Sequence, residues 1–382
     1  MSDLSNVIAN LTPEKKAALI ARLKSGNQNR IKKPEIDFEG NFEYQFQSET
    51  PFDYKVVQTE VGDPGPDFVQ VEAKASSLNF RDVMIASRMY PASPGVPSNM
   101  GSDYAGTVVK VGSNVKDVKV GDEVIVLNIG HVNEQGVVRE NCHFIKTFNV
   151  YKYCVCPKPK ALSFEAASCI PTVYLTSYIA LIELAKIQKG ERVLIHMASG
   201  GVGLSAVQLA QWSDATIFAT AGTPEKREYL RSIGIQQIFD SRSNEFVEGI
   251  LSQGQEMEVV LNTLSGGLML QSMCLMAPFG RFIHIDKKDI AGNTPLPMQF
   301  FSHGLSFQFL DVSLLFKKPA LIRERLKCVV SLFDEYEFQP IHHQVFNIRD
   351  LKKAVTTMSR GTHIGKIVVS YDPNKTVYAS NN

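Results

Sequence analysis

Residues Val193 to Ala206 read VLIHMASGGVGLSA, and no other stretch of the 382-residue chain narrows the fold as much. A short apolar run, Val193-Leu194-Ile195-His196, meets a cluster of glycines and passes at once into a helical pattern from Gly203 to Trp212. Gly201-Val202-Gly203-Leu204-Ser205-Ala206 fits G-x-G-x-x-[G/A] in the setting that pattern requires, after a strand and at the start of a helix. The first glycine permits a tight turn, the second lets a pyrophosphate approach the backbone, and the small third residue allows close helix–strand packing. The helix N-terminus then turns free N–H groups and a partial positive charge toward the phosphates. A bound dinucleotide is the expectation, with Ser199, Gly200, Gly201, Val202 and Gly203 forming its cradle.

The same rhythm continues downstream. Strand candidates Thr216–Thr220, Gln237–Phe239, Val259–Asn262 and Arg281–Ile285 alternate with helical stretches such as Pro224–Ile233. Apolar strands separated by helices imply a parallel, doubly wound Rossmann sheet with right-handed crossovers, an α/β fold. Upstream the pattern is different. Phe68 to Ala73 alternates with period two, and GSDYAGTVVKVG (101–112) and VKVGDEVIV (118–126) are short strands joined by glycine turns, which predicts a mainly β barrel or sandwich. A helix is expected near 319–335 and a last strand at Gly365–Ser370, returning toward the first domain. The expected division is a helical appendage and linker over 1–34, a substrate domain over 35–160, a Rossmann domain over 161–308, a return to the substrate domain over 309–372 and a tail over 373–382. In the appendage, Leu4, Val7, Ile8 and Leu11 recur at helical spacing, and Thr12 can cap a helix with Pro13 at its first position and Ala18, Leu19 and Leu23 along one face. It reads either as a helix packed on its own body or as a docking element.

Forty basic and 39 acidic side chains leave a net charge of +1, which gives no reason to expect nucleic acid or an anionic membrane as partner. No apolar run approaches the roughly 20 residues of a membrane span, and the N-terminus lacks the layout of a signal peptide, so a cytoplasmic protein is expected. Six scattered cysteines, with only Cys154 and Cys156 close together, do not make a zinc site and suit a reducing compartment. An NADH site usually carries an acid at the end of the second strand, about 20 residues past the first glycine. Here that region reads Ala219-Thr220-Ala221-Gly222-Thr223, then Glu225-Lys226-Arg227, with Ser241-Arg242 closing the next strand. Thr220 with Lys226 and Arg242 suits a 2′-phosphate, so NADPH is the expected cofactor.

Several segments in order resemble the enoyl reductases of polyketide and fatty acid synthases, zinc-independent members of the medium-chain dehydrogenase/reductase (quinone oxidoreductase-like) superfamily. Ser77-Leu78-Asn79-Phe80-Arg81-Asp82-Val83-Met84 is similar to their LNFRDV segment and Met89-Tyr90-Pro91 to their MYP. Gly101 to Gly106 is similar to G-x-E-x-A-G with Asp103 for Glu, and His363-Ile364-Gly365-Lys366 to the C-terminal HxGK. The resemblance covers roughly residues 60–372. It implies a GroES-like substrate domain, and reduction by NADPH of the 2,3-double bond of an enoyl thioester on an acyl carrier protein or CoA. Hydride goes to the β-carbon, charge gathers on the thioester oxygen, and a proton goes to the α-carbon.

The resemblance assigns Tyr90 to α-carbon protonation and Lys287, with Asp311 as its acidic partner, to the developing charge; Lys288 competes with its neighbour. Asn79, Thr172, Thr176 and Asn262 fall on segments that face cofactor or substrate. His196, His284 and His363 are expected to be structural. One departure stands out: Asp286 replaces the family's glycine before Lys287, adding bulk and charge where it could redirect that lysine. Three other activities stay open. They are a quinone or enone reductase, a specialised reductive ring closure, and a non-catalytic NADPH-binding protein. A carrier or synthase partner could engage the N-terminal segment, and a homodimer is in keeping with the superfamily.

Overall fold

The computed structural model describes residues 36–47, 50–90, 99–128, 130, 142–336, 338–375 and 378–379. The helical appendage expected over 1–34 lies outside them.

A hairpin of β1 (Phe42–Phe46) and β2 (Tyr54–Gln58) precedes the strand-rich sheet. That sheet draws on β3 (Phe68–Ser77), β4 (Asp103–Val111), β5 (Glu123–Leu127), β6 (Thr147–Tyr151) and β7 (Val155–Pro157). Antiparallel pairing of β3 with β4 and of β4 with β5 leaves alternate side chains in the core, among them Val69, Val71, Tyr104 and Ile125.

The second sheet is wholly parallel: β8 (Arg192–Ile195), β9 (Thr216–Ala221), β10 (Gln237–Asp240), β11 (Met257–Asn262), β12 (Met276–His284) and β13 (Ser306–Phe309). Their order, β10-β9-β8-β11-β12-β13, reverses direction between β8 and β11. In doubly wound sheets such a reversal forms a crevice outside the carboxyl ends of the strands, and ligands bind there. Helices cover both faces, so Val193, Leu194, Ile195, Val259, Val260 and Leu261 are fully buried. β12 begins five residues earlier than the apolar run Arg281–Ile285 suggests. Pro278 and Gly280 look like breakers, yet the chain absorbs them in an irregularity with Phe279 at φ 60°, and Met276 still pairs with Met257.

The chain then returns. β14 (His343–Asn347) pairs with β15 (Lys366–Ser370), and β15 pairs antiparallel with β3; β16 (Tyr378–Ala379) borders β14. The start of β15 is stitched to the glycine loop: Gly365 N–H donates to the Ser199 carbonyl at 2.8 Å. Gly365 sits at φ +64°, and a Cβ there would lie 1.8 Å from the His342 carbonyl oxygen, so only glycine fits the crossing. The two sheets therefore meet at the crevice.

Candidate active site

The helix Gly201–Trp212 starts from Gly200, whose backbone is extended, and its first turn closes with Leu204 N–H on the Gly200 carbonyl at 2.8 Å. The N–H groups of Gly201, Val202 and Gly203 precede that bond and have no partner within the helix. The glycines are also required by the packing of the loop. A Cβ on Gly203 would lie 2.5 Å from Ala198 Cα and from the Met197 carbonyl, so this glycine lets the loop fold on itself. A Cβ on Gly201 would lie 2.8 Å from Lys366 Cδ and 3.0 Å from Val173 Cγ1. The loop is thus a tight nest of backbone donors at a helix N-terminus, the chemistry a pyrophosphate requires. The residues present fit a dinucleotide.

At the end of β9, Lys226 is half-buried and donates to the Gly361 carbonyl at 2.7 Å. Burial, and then the charge of Arg242, push the Lys226 ammonium below its ordinary value, which marks two cations sharing one corner. Arg242 lies over Gly222, where a Cβ would stand 2.9 Å from its Nε. An acid is present after all: Asp240 pairs in register with Ala221. Its carboxylate is committed, however, to Arg227 at 3.0 Å and to the Arg242 backbone N–H at 2.8 Å.

Thr220 and Asn262 sit at strand ends facing the crevice, but their side chains are used within the protein. The Thr220 hydroxyl meets His196 Nδ1 at 3.1 Å and accepts from Met197 N–H at 3.2 Å. His196 also reaches Ser272 at 2.9 Å, and burial pushes its imidazole down to about 3, so it is a neutral structural group. The Asn262 amide donates to the Leu264 carbonyl at 2.7 Å, contacts His284 Nδ1 at 2.8 Å and accepts from Leu264 N–H at 3.2 Å. These residues shape the turns after β8 and β11. Thr176 likewise donates back to the Thr172 carbonyl at 2.7 Å.

On the substrate side, Lys287 follows β12 and Asp311 follows β13, adjacent strands that bring the two together. Lys287 Nζ lies 2.7 Å from Asp311 Oδ2. Asp286 does not turn it aside, and Lys288 is exposed. Asp311 Oδ1 accepts from the Ser313 N–H at 2.9 Å and the Ser313 hydroxyl at 2.7 Å. Burial would raise the Asp311 carboxyl, but the hydrogen bonds from Lys287 and Ser313 outweigh it and hold the group below the usual carboxylate range. Asp311 is therefore a carboxylate with no proton to give, and it anchors the ammonium. The Tyr90 ring belongs to the same cluster, with Lys287 Nζ 5.8 Å and Arg81 Cζ 5.0 Å from its centroid. Arg81 is itself held by the Asn99 carbonyl at 2.7 Å.

A second charged cluster carries no assignment from the sequence. Asp103, from the start of β4, and Lys366, from the start of β15, form an ion pair at 3.3 Å, their side chains 0% and 2% exposed. Asn79 bridges them: its Oδ1 accepts from Lys366 Nζ at 2.7 Å, and its Nδ2 donates to Asp103 Oδ2 at 2.9 Å and to Ser102 Oγ at 3.1 Å. Thr172 donates to Asp103 Oδ1 at 2.5 Å. Asn79 heads the helix Phe80–Ala86, where the buried Asp82 carboxylate accepts its N–H at 2.7 Å and that of Gly101 at 3.0 Å. The signal available in the sequence was Asp103 and Lys366 inside otherwise apolar strand patterns.

Among the described residues, no group of three or more His, Cys, Asp or Glu side chains could hold a metal ion, and no helix is long and apolar enough to cross a membrane.

Comparison with known proteins agrees with this geometry. Residues 65–163 match the family described as "Alcohol dehydrogenase GroES-like domain", and residues 233–369 the one described as "Zinc-binding dehydrogenase". The solved CurK enoyl reductase is 32% identical, covers 87% of this chain and 99% of its own, and superimposes with a TM-score of 0.76. The CurF ER cyclopropanase is 30% identical with the same coverage and TM-score. Squalestatin tetraketide synthase of Cochliobolus lunatus is 38% identical over 313 residues, 80% of this chain and 12% of that protein. Phthioceranic/hydroxyphthioceranic acid synthase of Mycobacterium tuberculosis is 37% identical over 313 residues, 80% and 14% respectively. This chain thus spans only a small part of the length of the curated relatives it matches.

Proposed function

The chain belongs to the enoyl reductases of the medium-chain dehydrogenase/reductase superfamily, and on that premise we propose that it reduces the 2,3-double bond of an enoyl thioester with NADPH. The carrier is an acyl carrier protein or CoA, in polyketide or fatty acid synthesis. The observation that carries this reading is the gathering of Tyr90, Lys287 and Asp311 at the carboxyl ends of the sheet whose first loop is a dinucleotide cradle. NADPH rather than NADH is supported by Lys226, in the helix after β9, and Arg242, just after β10, and by the commitment of Asp240 to Arg227.

Ser199 to Gly203 would hold the pyrophosphate, and Lys226 and Arg242 a 2′-phosphate. When bound, the dinucleotide supplies a hydride. The chain's own part is electrostatic and protonic. Lys287, fixed by Asp311, donates to the thioester oxygen as charge gathers there, and such preorganised donors act where charge develops. Tyr90 delivers a proton to the α-carbon. The test is NADPH oxidation with crotonyl thioesters of pantetheine, CoA and a carrier protein, beside a free enone and a quinone, with the product weighed. Thioester-dependent turnover to a product two hydrogens heavier supports the reading; consumption with quinone or free enone alone defeats it. A second reading, reductive ring closure, is favoured by the equal likeness to the CurF cyclopropanase. That outcome needs a substrate that carries a leaving group on its γ-carbon: the enolate α-carbon attacks that carbon, the bond to the leaving group breaks as the ring bond forms and the group departs as an anion, and no proton is taken from Tyr90.

A further inference from the structure

Lys366 belongs to neither set of residues assigned above, yet it touches both halves of the crevice. Its stem packs on Gly201, close enough that a Cβ there would stand 2.8 Å from Cδ. Its ammonium reaches across to Asn79 and Asp103 in the strand-rich sheet. Burying the two charges is expensive, and a pair of apolar residues would often be as stable. What the pair does is set the direction of every neighbouring hydrogen bond. Lys366 donates only, so it draws Asn79 Oδ1 toward itself and leaves Nδ2 to face Asp103 and Ser102. Asp103 accepts only, so it takes the Thr172 proton and leaves the Thr172 oxygen able only to accept; Asn79 Nδ2, 3.4 Å away, already uses one of its two lone pairs. Asn79 and Thr172 are both half-buried, at the mouth of this cluster.

We propose that Lys366 is a positioning residue that, through Asn79 and Asp103, fixes the hydrogen-bonding polarity of the crevice along the nicotinamide half of the cofactor. This rests on the dinucleotide reading given above. The placement follows from the fold. The 2′-phosphate corner lies at the end of β9, on one side of the glycine loop. The cluster joins Gly201 to the segment Asn79–Tyr90, which carries the proton donor. With the Thr172 hydroxyl committed to Asp103, that oxygen matches a hydroxyl or amide donor, such as the ribose next to the nicotinamide, and rejects an acceptor.

The test compares two probes on the full chain: NADPH, followed by its fluorescence, and adenosine 2′,5′-bisphosphate, followed by calorimetry, which carries the adenosine end alone. Lys366→Met keeps the stem on Gly201 but strands Asp103, so it is paired with the double variant Lys366→Met/Asp103→Asn, which removes both charges of the pair. The expected result is a dissociation constant for NADPH about tenfold higher in the double variant, the size of one or two polar contacts. The bisphosphate should stay within about twofold of the parent protein. Equal weakening of both probes would mean that Lys366 only supports the fold, and unchanged NADPH binding would mean that the polarity it sets is not read; either overturns the proposal. If the parent protein binds neither probe, the dinucleotide reading fails and takes this inference with it.

Discussion

Two lysine–aspartate pairs stand at one crevice, and their surroundings differ more than their chemistry. Lys366–Asp103 is 3.3 Å apart with side chains 2% and 0% exposed, and every oxygen of Asp103 meets a donor from Asn79, Thr172 or Lys366. Lys287–Asp311 is shorter, 2.7 Å, but 36% and 17% exposed, and it borders the Tyr90 ring. The buried pair is shielded: its members face Asn79 and Thr172, and solvent barely reaches either side chain. The open pair spends one donor of its ammonium on Asp311, which leaves the others for the substrate oxygen of the proposed reaction. Burial thus separates a lysine that arranges the site from one that can act in it.

The sharpest way to break that contrast is to remove each ammonium and measure folding. Lys366→Met strands a buried carboxylate and should cost about 3–5 kcal/mol in denaturant unfolding. Lys287→Met should cost less than about 1 kcal/mol, because solvent already screens that pair. Similar losses would erase the distinction. Activity should reverse the order of consequence. Lys287→Met is expected to lower kcat/KM about 100-fold (~2.7 kcal/mol), as for loss of a donor to developing charge. Asp311→Asn, which frees the ammonium without removing it, should cost about tenfold. A Lys287→Met protein with full turnover would refute the role given to the open pair. Of the same size is the effect on cofactor choice: Arg242→Ala should shrink the preference for NADPH over NADH about tenfold (~1.4 kcal/mol), read from the ratio of kcat/KM values.

The parallel sheet and its glycine loop were legible because their cause is local: an apolar strand, a tight turn and a helix start fall within 14 residues. Lys287 and Asp311 came from family resemblance, and adjacent-strand geometry then chose Lys287 over Lys288. Gly203 has a packing role that its place in the motif did not reveal, since the backbone of Met197 and Ala198 lies where its Cβ would stand. Thr220 and Asn262 were placed at the right strand ends, but which way a side chain spends its hydrogen bonds depends on His196 and His284, distant in sequence. Asp103 and Lys366 each stood out as a charge in an apolar strand, but their pairing was not legible, for the same reason at greater range: 263 residues separate them. Only the antiparallel pairing of β15 with β3, and of β3 with β4, brings them together.

The smallest effect distinguishes the pairs most directly. A double-mutant cycle on each pair isolates its coupling energy from the other consequences of mutation. Raising sodium chloride from 0.1 M to 1 M shortens the screening length from about 10 Å to about 3 Å. Ions reach Lys287–Asp311, so its coupling, about 0.5 kcal/mol for so exposed a pair, should fall toward zero. They do not reach Lys366–Asp103, whose coupling should hold its value within error across the same range. The cofactor phosphates would confuse a kinetic version of this measurement, because Lys226 and Arg242 are themselves screened, so the cycles are run on folding stability without NADPH. If both couplings collapse alike, water and ions enter the junction beneath the glycine loop. Lys366 could not then hold Asn79 and Thr172 in one orientation, and the division between an arranging and an acting lysine would have no physical basis.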